Sequence, residues 1–170
     1  VGLHTATAFV SRGRLGNERK EIREFMEHQP RVSLDLTGDP RIGAVDAPWQ
    51  LVEFSDFLCQ ACQRASKVNP ILLASHRHDL SFVFKHYPLD VSCNDALNHN
   101  VHPGACELAA ASECAHLQGK FWPFHDRAFE ATPTFHMEQV TQELESLGLD
   151  RAQFTACMES GQGMAAVKRD

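Results

Sequence analysis

The pair Cys59-Gln60-Ala61-Cys62 constrains this chain more than any other feature, because of what flanks it. Residues 49–57, WQLVEFSDF, are apolar and β-prone and predict a central buried strand. Residues 58–78, LCQACQRASKVNPILLASHRH, come next, with Ala65, Val68, Ile71 and Leu72 at the spacing of one helical face. Pro70 removes a backbone donor and is expected to kink that helix. Residues 80–89, LSFVFKHYPL, predict a second buried strand. Strand, CxxC, helix, strand is a βαβ unit with its two strands parallel.

A CxxC at the start of a helix has a physical purpose. The first helical turn presents unpaired N–H groups and a partial positive charge. That field stabilises a thiolate, and cysteines in such sites have pKa values of roughly 3.5–7.5. Two intervening residues let the second cysteine close a small, reducible disulfide with the first. Cys59 is then the attacking thiol and Cys62 the one that resolves the mixed disulfide. CxxC is also half of many zinc sites, and Cys93, His99, His102 and Cys106 supply enough further ligands for one. The strand–CxxC–helix context favours redox chemistry, because structural zinc knuckles sit on hairpin turns.

The rest of the chain is organised around this unit. Residues 17–29 carry acid–base pairs at helical spacing and predict a solvated helix. Residues 31–36, RVSLDL, alternate apolar and polar side chains and predict a short edge strand. Pro30 and residues 38–43, GDPRIG, punctuate the chain, so residues 1–45 read as a linker and the domain as 46–170. From about residue 94 to 160 the pattern is helical throughout. Helices are expected over 102–117 with Pro103 in the first turn, over 119–131, and over 136–149 with Met137, Val140, Leu144 and Leu147 on one face. A last one, 151–160, is capped by Asp150.

With 170 residues, 43% hydrophobic and 22% charged, the chain can build one domain with a real core. Its net charge of −6 argues against general nucleic-acid binding, which needs a basic face. No run of 18 apolar residues exists. The chain opens on Val1, and residues 1–10 lack a basic segment leading into an apolar one, so it reads as a processed or excised piece. Six cysteines point to an oxidising compartment.

Residues 52–62, VEFSDFLCQAC, resemble the active-site strand of DsbA-like thioredoxin-fold proteins. Residues 102–129 are similar to that group's inserted helical part, with A-x-x-A and then GKFW-x-x-HD-x-x-F, and residues 44–57 resemble its lead-in. The likeness covers about residues 40–160 and is best to the subgroup also found fused behind vitamin K epoxide reductase-like membrane domains. It implies an α/β thioredoxin-like fold with a helical insertion, acting as a periplasmic or otherwise extracytoplasmic thiol:disulfide oxidoreductase, with a membrane anchor left open for a longer chain. It implies neither a dissociable cofactor nor a metal. Its substrates would be protein thiols and disulfides, and a quinone-linked membrane partner, vitamin K epoxide reductase-like or DsbB-like, would reoxidise it.

The resemblance also assigns residues. Glu53, six positions before Cys59, falls where the family carries a buried acid that accepts a proton from the second cysteine. A carboxylate in a buried strand is costly without such a task or a partner, the alternative being an edge position and a salt bridge. Ser55 and Asp56 stand nearer the mouth of the site and are candidates to tune the thiolate. Gln60 and Ala61 lack the histidine that implies a strongly oxidising member, which leaves isomerase or reductase chemistry open. The family's cis-proline loop and the strands after it have no clear counterpart. Thr132-Pro133, in ATPTF, falls inside the helical insertion and reads as a decoy, so the C-terminal strands are expected to be missing from this chain.

Cys93 and Cys106 match a pair that recurs in the subgroup, and a disulfide there would add roughly 3 kcal/mol by the chain-entropy model. Cys114 and Cys157 either pair or remain buried thiols. His125 is read as packing or capping, not as a ligand. Trp49, Phe57, Leu58, Phe121 and Trp122 are candidates for an apolar substrate patch, though most are expected in the core. A non-enzymatic binding module with a structural CxxC is the rival reading.

Overall fold

A computed structural model describes residues 17–25 and 27–170. Residues 17–25 are helical; residues 1–16 of the linker expected over 1–45 lie outside the described residues. The chain divides between Asp35 and Leu36 into two compact units, and the sheet, the CxxC and the helices after it all belong to the second.

Three strands form one sheet: β1 (Arg41–Ile42), β2 (Trp49–Ser55) and β3 (Leu80–His86), in the order β1-β3-β2. β2 and β3 run parallel, with Val52 opposite Val83 and Glu53 opposite Phe84. The connection between them is α1 (Gln60–Ser75), which carries Pro70 within it. β1 pairs antiparallel with β3 through Arg41↔Val83 and Ile42↔Phe82. The sheet therefore begins before residue 46, and the edge strand lies at 41–42 and not at 31–36, which forms no strand. RVSLDL has a strand's alternation, but Val32 and Leu34 are exposed rather than packed on a core face.

β3, not β2, is the central strand. Its residues from Ser81 to His86 are all buried, including Lys85, whose ammonium meets Asp170 at 2.8 Å and Asp39 at 3.0 Å. β2 lies at the sheet edge with Trp49 71% exposed and Phe54 also exposed, contrary to the buried central strand expected from its composition. Among the described residues no strand comes after His86. Nothing described covers the outer flank of α1 either: Val68, Ile71 and Leu72 are exposed. The inward side of α1 carries Cys62, Ser66, Asn69 and Leu73, all half-buried, at i, i+4, i+7 and i+11.

The helical part contains α2 (Ala105–Leu117), α3 (Phe121–Ala131), α4 (Met137–Glu143), α5 (Arg151–Ser160) and α6 (Gln162–Val167). Pro103 precedes α2, and α4 ends earlier than the 149 that the apolar spacing suggested. Asp150 caps α5 by accepting from the Gln153 N–H at 2.8 Å. α2 is buried on most sides, and α6 packs so closely on it that a Cβ at Gly163 would strike the Ala110 carbonyl. Two disulfides fasten this part: Cys93–Cys106 joins the loop after β3 to α2, and Cys114–Cys157 joins α2 to α5. The core is aromatic, with Phe57, Phe84, Phe121, Phe124, Phe129 and Phe135 buried together. Among the described residues no helix is long and apolar enough to cross a membrane.

Candidate active site

The residues that end β2 decide where the thiols stand. Phe57 and Leu58 are buried and anchor the turn after the strand, with the Phe57 ring stacked on Phe84 at 5.5 Å. Cys59 then occupies the N-cap of α1 in an extended conformation, and its carbonyl accepts the Gln63 N–H at 2.9 Å. No acidic residue stands in the first turn, so the helix's N-terminal field is not cancelled there. Cys59 and Cys62 are both free thiols, and Gln60 and Ala61 between them are exposed.

Cys62 faces inward, and burial pushes its thiol up from the ordinary range. The Asp56 N–H and the Ser55 hydroxyl act in the opposite direction, and the adjacent Cys59 sulfur raises it further. Ser55, buried, has no oxygen or nitrogen partner among the described residues and lies beside the Cys62 sulfur. Glu53 lies deeper along β2, half-buried, and one of its oxygens accepts from the Asn69 amide. The other, Oε1, is buried without a hydrogen-bond partner among the described residues. The inner side of α1 thus leads from Cys62 past Ser66 to Asn69 and Glu53. Ser66, Asn69 and His125 line one small cavity of ≈ 130 Å³. His125 stands in an aromatic box with Phe129 at 4.8 Å and Trp122 at 5.1 Å, and burial lowers its pKa against the opposing pull of Asp126 and Glu53.

Thr132 and Pro133 are joined by a cis peptide, set between α3 and α4 and not ahead of a strand. The Thr132 hydroxyl nevertheless reaches the turn ahead of Cys59, donating to the Phe57 carbonyl at 2.7 Å. Gln63, next to Cys62, donates to the Phe129 carbonyl at 2.6 Å. Neither contact is foreseeable from sequence, where Thr132 reads as part of a decoy Thr-Pro and Gln63 as an ordinary polar position on a helix.

The remaining candidates separate. Cys93 and Cys106, two of the four further ligands open to the zinc reading, are bonded to each other, as are Cys114 and Cys157. Of the expected apolar patch, Phe57, Leu58 and Phe121 belong to the core and Trp122 packs against it; Trp49 alone of the five is largely exposed. Asp56 faces away from solvent and grips backbone on both sides of the site: Oδ1 accepts the Leu58 N–H and Oδ2 the Leu89 N–H, each at 2.7 Å.

Comparison with known proteins agrees with this geometry. The model of the DSBA-like thioredoxin domain family matches residues 50–170. The Na(+)/H(+) antiporter NhaA 1 of Mycolicibacterium vanbaalenii is 35% identical over 112 residues, 66% of this chain but 17% of that protein. NhaA of Herminiimonas arsenicoxydans is 35% identical over 136 residues, 78% of this chain and 20% of that protein. The chain spans about a fifth of the length of these curated relatives, and a match of that extent carries no antiporter function to it. A thioredoxin-like oxidoreductase from Silicibacter pomeroyi superposes with a TM-score of 0.64 at 22% identity, covering 78% of this chain and 70% of that one. BdbD from Bacillus subtilis gives 0.62 at 22% identity, covering 79% and 73%. These likenesses show the thioredoxin-like DsbA fold; the narrower tie to the vitamin K epoxide reductase-fused subgroup is not shown by them. The matched residues include the CxxC and the helices that follow it, and the chain belongs to the DSBA-like thioredoxin domain family.

Proposed function

We propose that Cys59 and Cys62 are the redox pair of this domain and exchange disulfides with protein substrates outside the cytoplasm. The observation that carries the reading is the pair of free, half-buried thiols at the N-cap and first turn of α1, the second of them pushed toward the thiol form by burial. In the dithiol form the Cys59 thiolate attacks a substrate disulfide, forming a mixed disulfide and releasing one substrate thiolate. Cys62 then loses its proton and attacks the Cys59 sulfur. The second substrate thiolate leaves, and two electrons have passed from the cysteine pair to the substrate. Oxidation of a substrate dithiol is the same sequence reversed.

Glu53 is proposed as the acceptor of the Cys62 proton. Its buried, unpartnered Oε1 and its place on the inner side of α1 support that role, because a free carboxylate oxygen there has capacity for a proton. The oxidising compartment and reoxidation by a quinone-linked membrane partner are inferred from the family alone. The two further disulfides fit that compartment.

The test is a redox titration in glutathione buffers, with Cys59→Ser as control. A reversible two-electron transition lost in the variant, at a potential well above ~−270 mV, supports an oxidase. A lower reversible potential points to a reductase. No reversible transition overturns the reading and leaves a binding module.

A further inference from the structure

Asp56 is 3% exposed and stands three residues ahead of Cys59, in the turn between β2 and α1. Its own carbonyl accepts the Cys59 N–H at 3.1 Å, and its N–H lies against the Cys62 sulfur. A buried negative charge in that place opposes the formation of a thiolate beside it. The charge has a partner: His102 Nδ1 meets Asp56 Oδ2 at 2.9 Å, from the loop before α2. The other carboxylate reaching that loop, Asp90, is engaged by the Gly104 N–H at 2.7 Å and the Ser92 N–H at 3.0 Å. Glu53, further back on β2, is held by Asn69.

We propose that His102 and Asp56 form a positioning pair that sets the redox equilibrium of Cys59 and Cys62. Asp56 holds the turn by accepting the Leu58 and Leu89 N–H groups, and His102, when it carries a proton on both ring nitrogens, offsets the charge this leaves near the thiols. Neither residue reacts. The proposal rests on the reading of Cys59 and Cys62 as the redox pair. It distinguishes charge from bracing by sign. Removing the histidine exposes the thiols to the carboxylate, destabilises the reduced form and makes the protein more reducing. Removing the carboxylate's charge does the opposite. A purely structural brace, once cut at either end, loosens the turn in one direction only.

The experiment is the glutathione equilibrium of the unsubstituted chain, His102→Gln, Asp56→Asn and the double variant, at about pH 6, below histidine's usual pKa of ~6.5. His102→Gln is expected to shift the equilibrium roughly tenfold toward the disulfide, ~30 mV for a two-electron couple. Asp56→Asn is expected to shift it toward the dithiol, and the double variant to return near the starting value. An unchanged equilibrium in His102→Gln, or shifts of the same sign in both single variants, overturns the proposal. If Asp56→Asn does not fold, His102→Lys takes its place: the side chain is 23% exposed, the Asp56 backbone bonds stay, and a cation there is expected to leave the equilibrium near its starting value, whereas a shift equal to that of His102→Gln overturns the proposal. No transition in the unsubstituted chain overturns the redox reading itself; a normal transition indifferent to His102 overturns only the pair.

Discussion

Thr132 donates its hydroxyl to the Phe57 carbonyl, two residues ahead of Cys59, so the end of α3 is bonded to the turn that leads into the CxxC. Gln63 makes the reciprocal link from α1 to the Phe129 carbonyl. Thr132→Val keeps the shape and leaves the buried Phe57 carbonyl without that donor. It is expected to cost about 1–2 kcal/mol in urea unfolding. A loss within ~0.3 kcal/mol of zero would mean that the helical part is held to the turn by packing alone.

Burial holds the Cys62 thiol above the ordinary cysteine range. In the Cys59→Ser chain, alkylation of Cys62 by iodoacetamide should therefore be slow at pH 7. Its rate should still be climbing where an ordinary thiol, with a pKa of ~8.5, has levelled off. A plateau at or below the ordinary range would contradict the environment described for this side chain. Glu53→Gln should slow the release of substrate from a trapped mixed disulfide by roughly tenfold or more near neutral pH, the span of general-base effects being 10²–10⁴.

The two disulfides close loops of different length, with sequence separations of 43 for Cys114–Cys157 and 13 for Cys93–Cys106. The chain-entropy model gives about 4 kcal/mol for the longer and about 3 kcal/mol for the shorter. Replacing both cysteines of the longer pair by alanine should lower the denaturant midpoint more than the same change in the shorter. The reverse order would mean that the loop after β3 gains more from its cross-link than its length accounts for.

His125 is kept neutral by burial among Phe57, Phe84, Trp122 and Phe129. A base whose folded pKa is lowered binds more protons in the unfolded chain. Its contribution is complete above the unfolded value of ~6.5 and is lost as the pH falls below it. His125→Phe should therefore flatten the decline of stability between pH 7 and pH 5. A decline equally steep in the variant would place the titrating group elsewhere.

The βαβ unit around Cys59-Gln60-Ala61-Cys62 is legible in the sequence because its signals are local: an apolar run, a cysteine pair, a helical period, a second apolar run. Which strand is central is not. Residues 49–57 and 80–89 are similarly apolar, and only the antiparallel pairing of Arg41–Ile42 with β3 puts β3 inside and β2 at the edge. The inner face of α1 departs from its hydrophobic pattern for a related reason. Val68, Ile71 and Leu72 have the greater hydrophobicity, yet the side turned to the domain carries Ser66 and Asn69, where Glu53 needs a donor.

By itself the sequence determined the CxxC motif, its place at a helix N-terminus, the acid six residues before it, and a helical region after the second strand. These depend on short-range order and on side-chain type. Tertiary structure alone decided that Cys114 meets Cys157, that Thr132 reaches Phe57 and that Asp56 meets His102, across sequence separations of 43, 75 and 46. Such contacts depend on how helices cross over the sheet, and no residue's own preference encodes its distant partner.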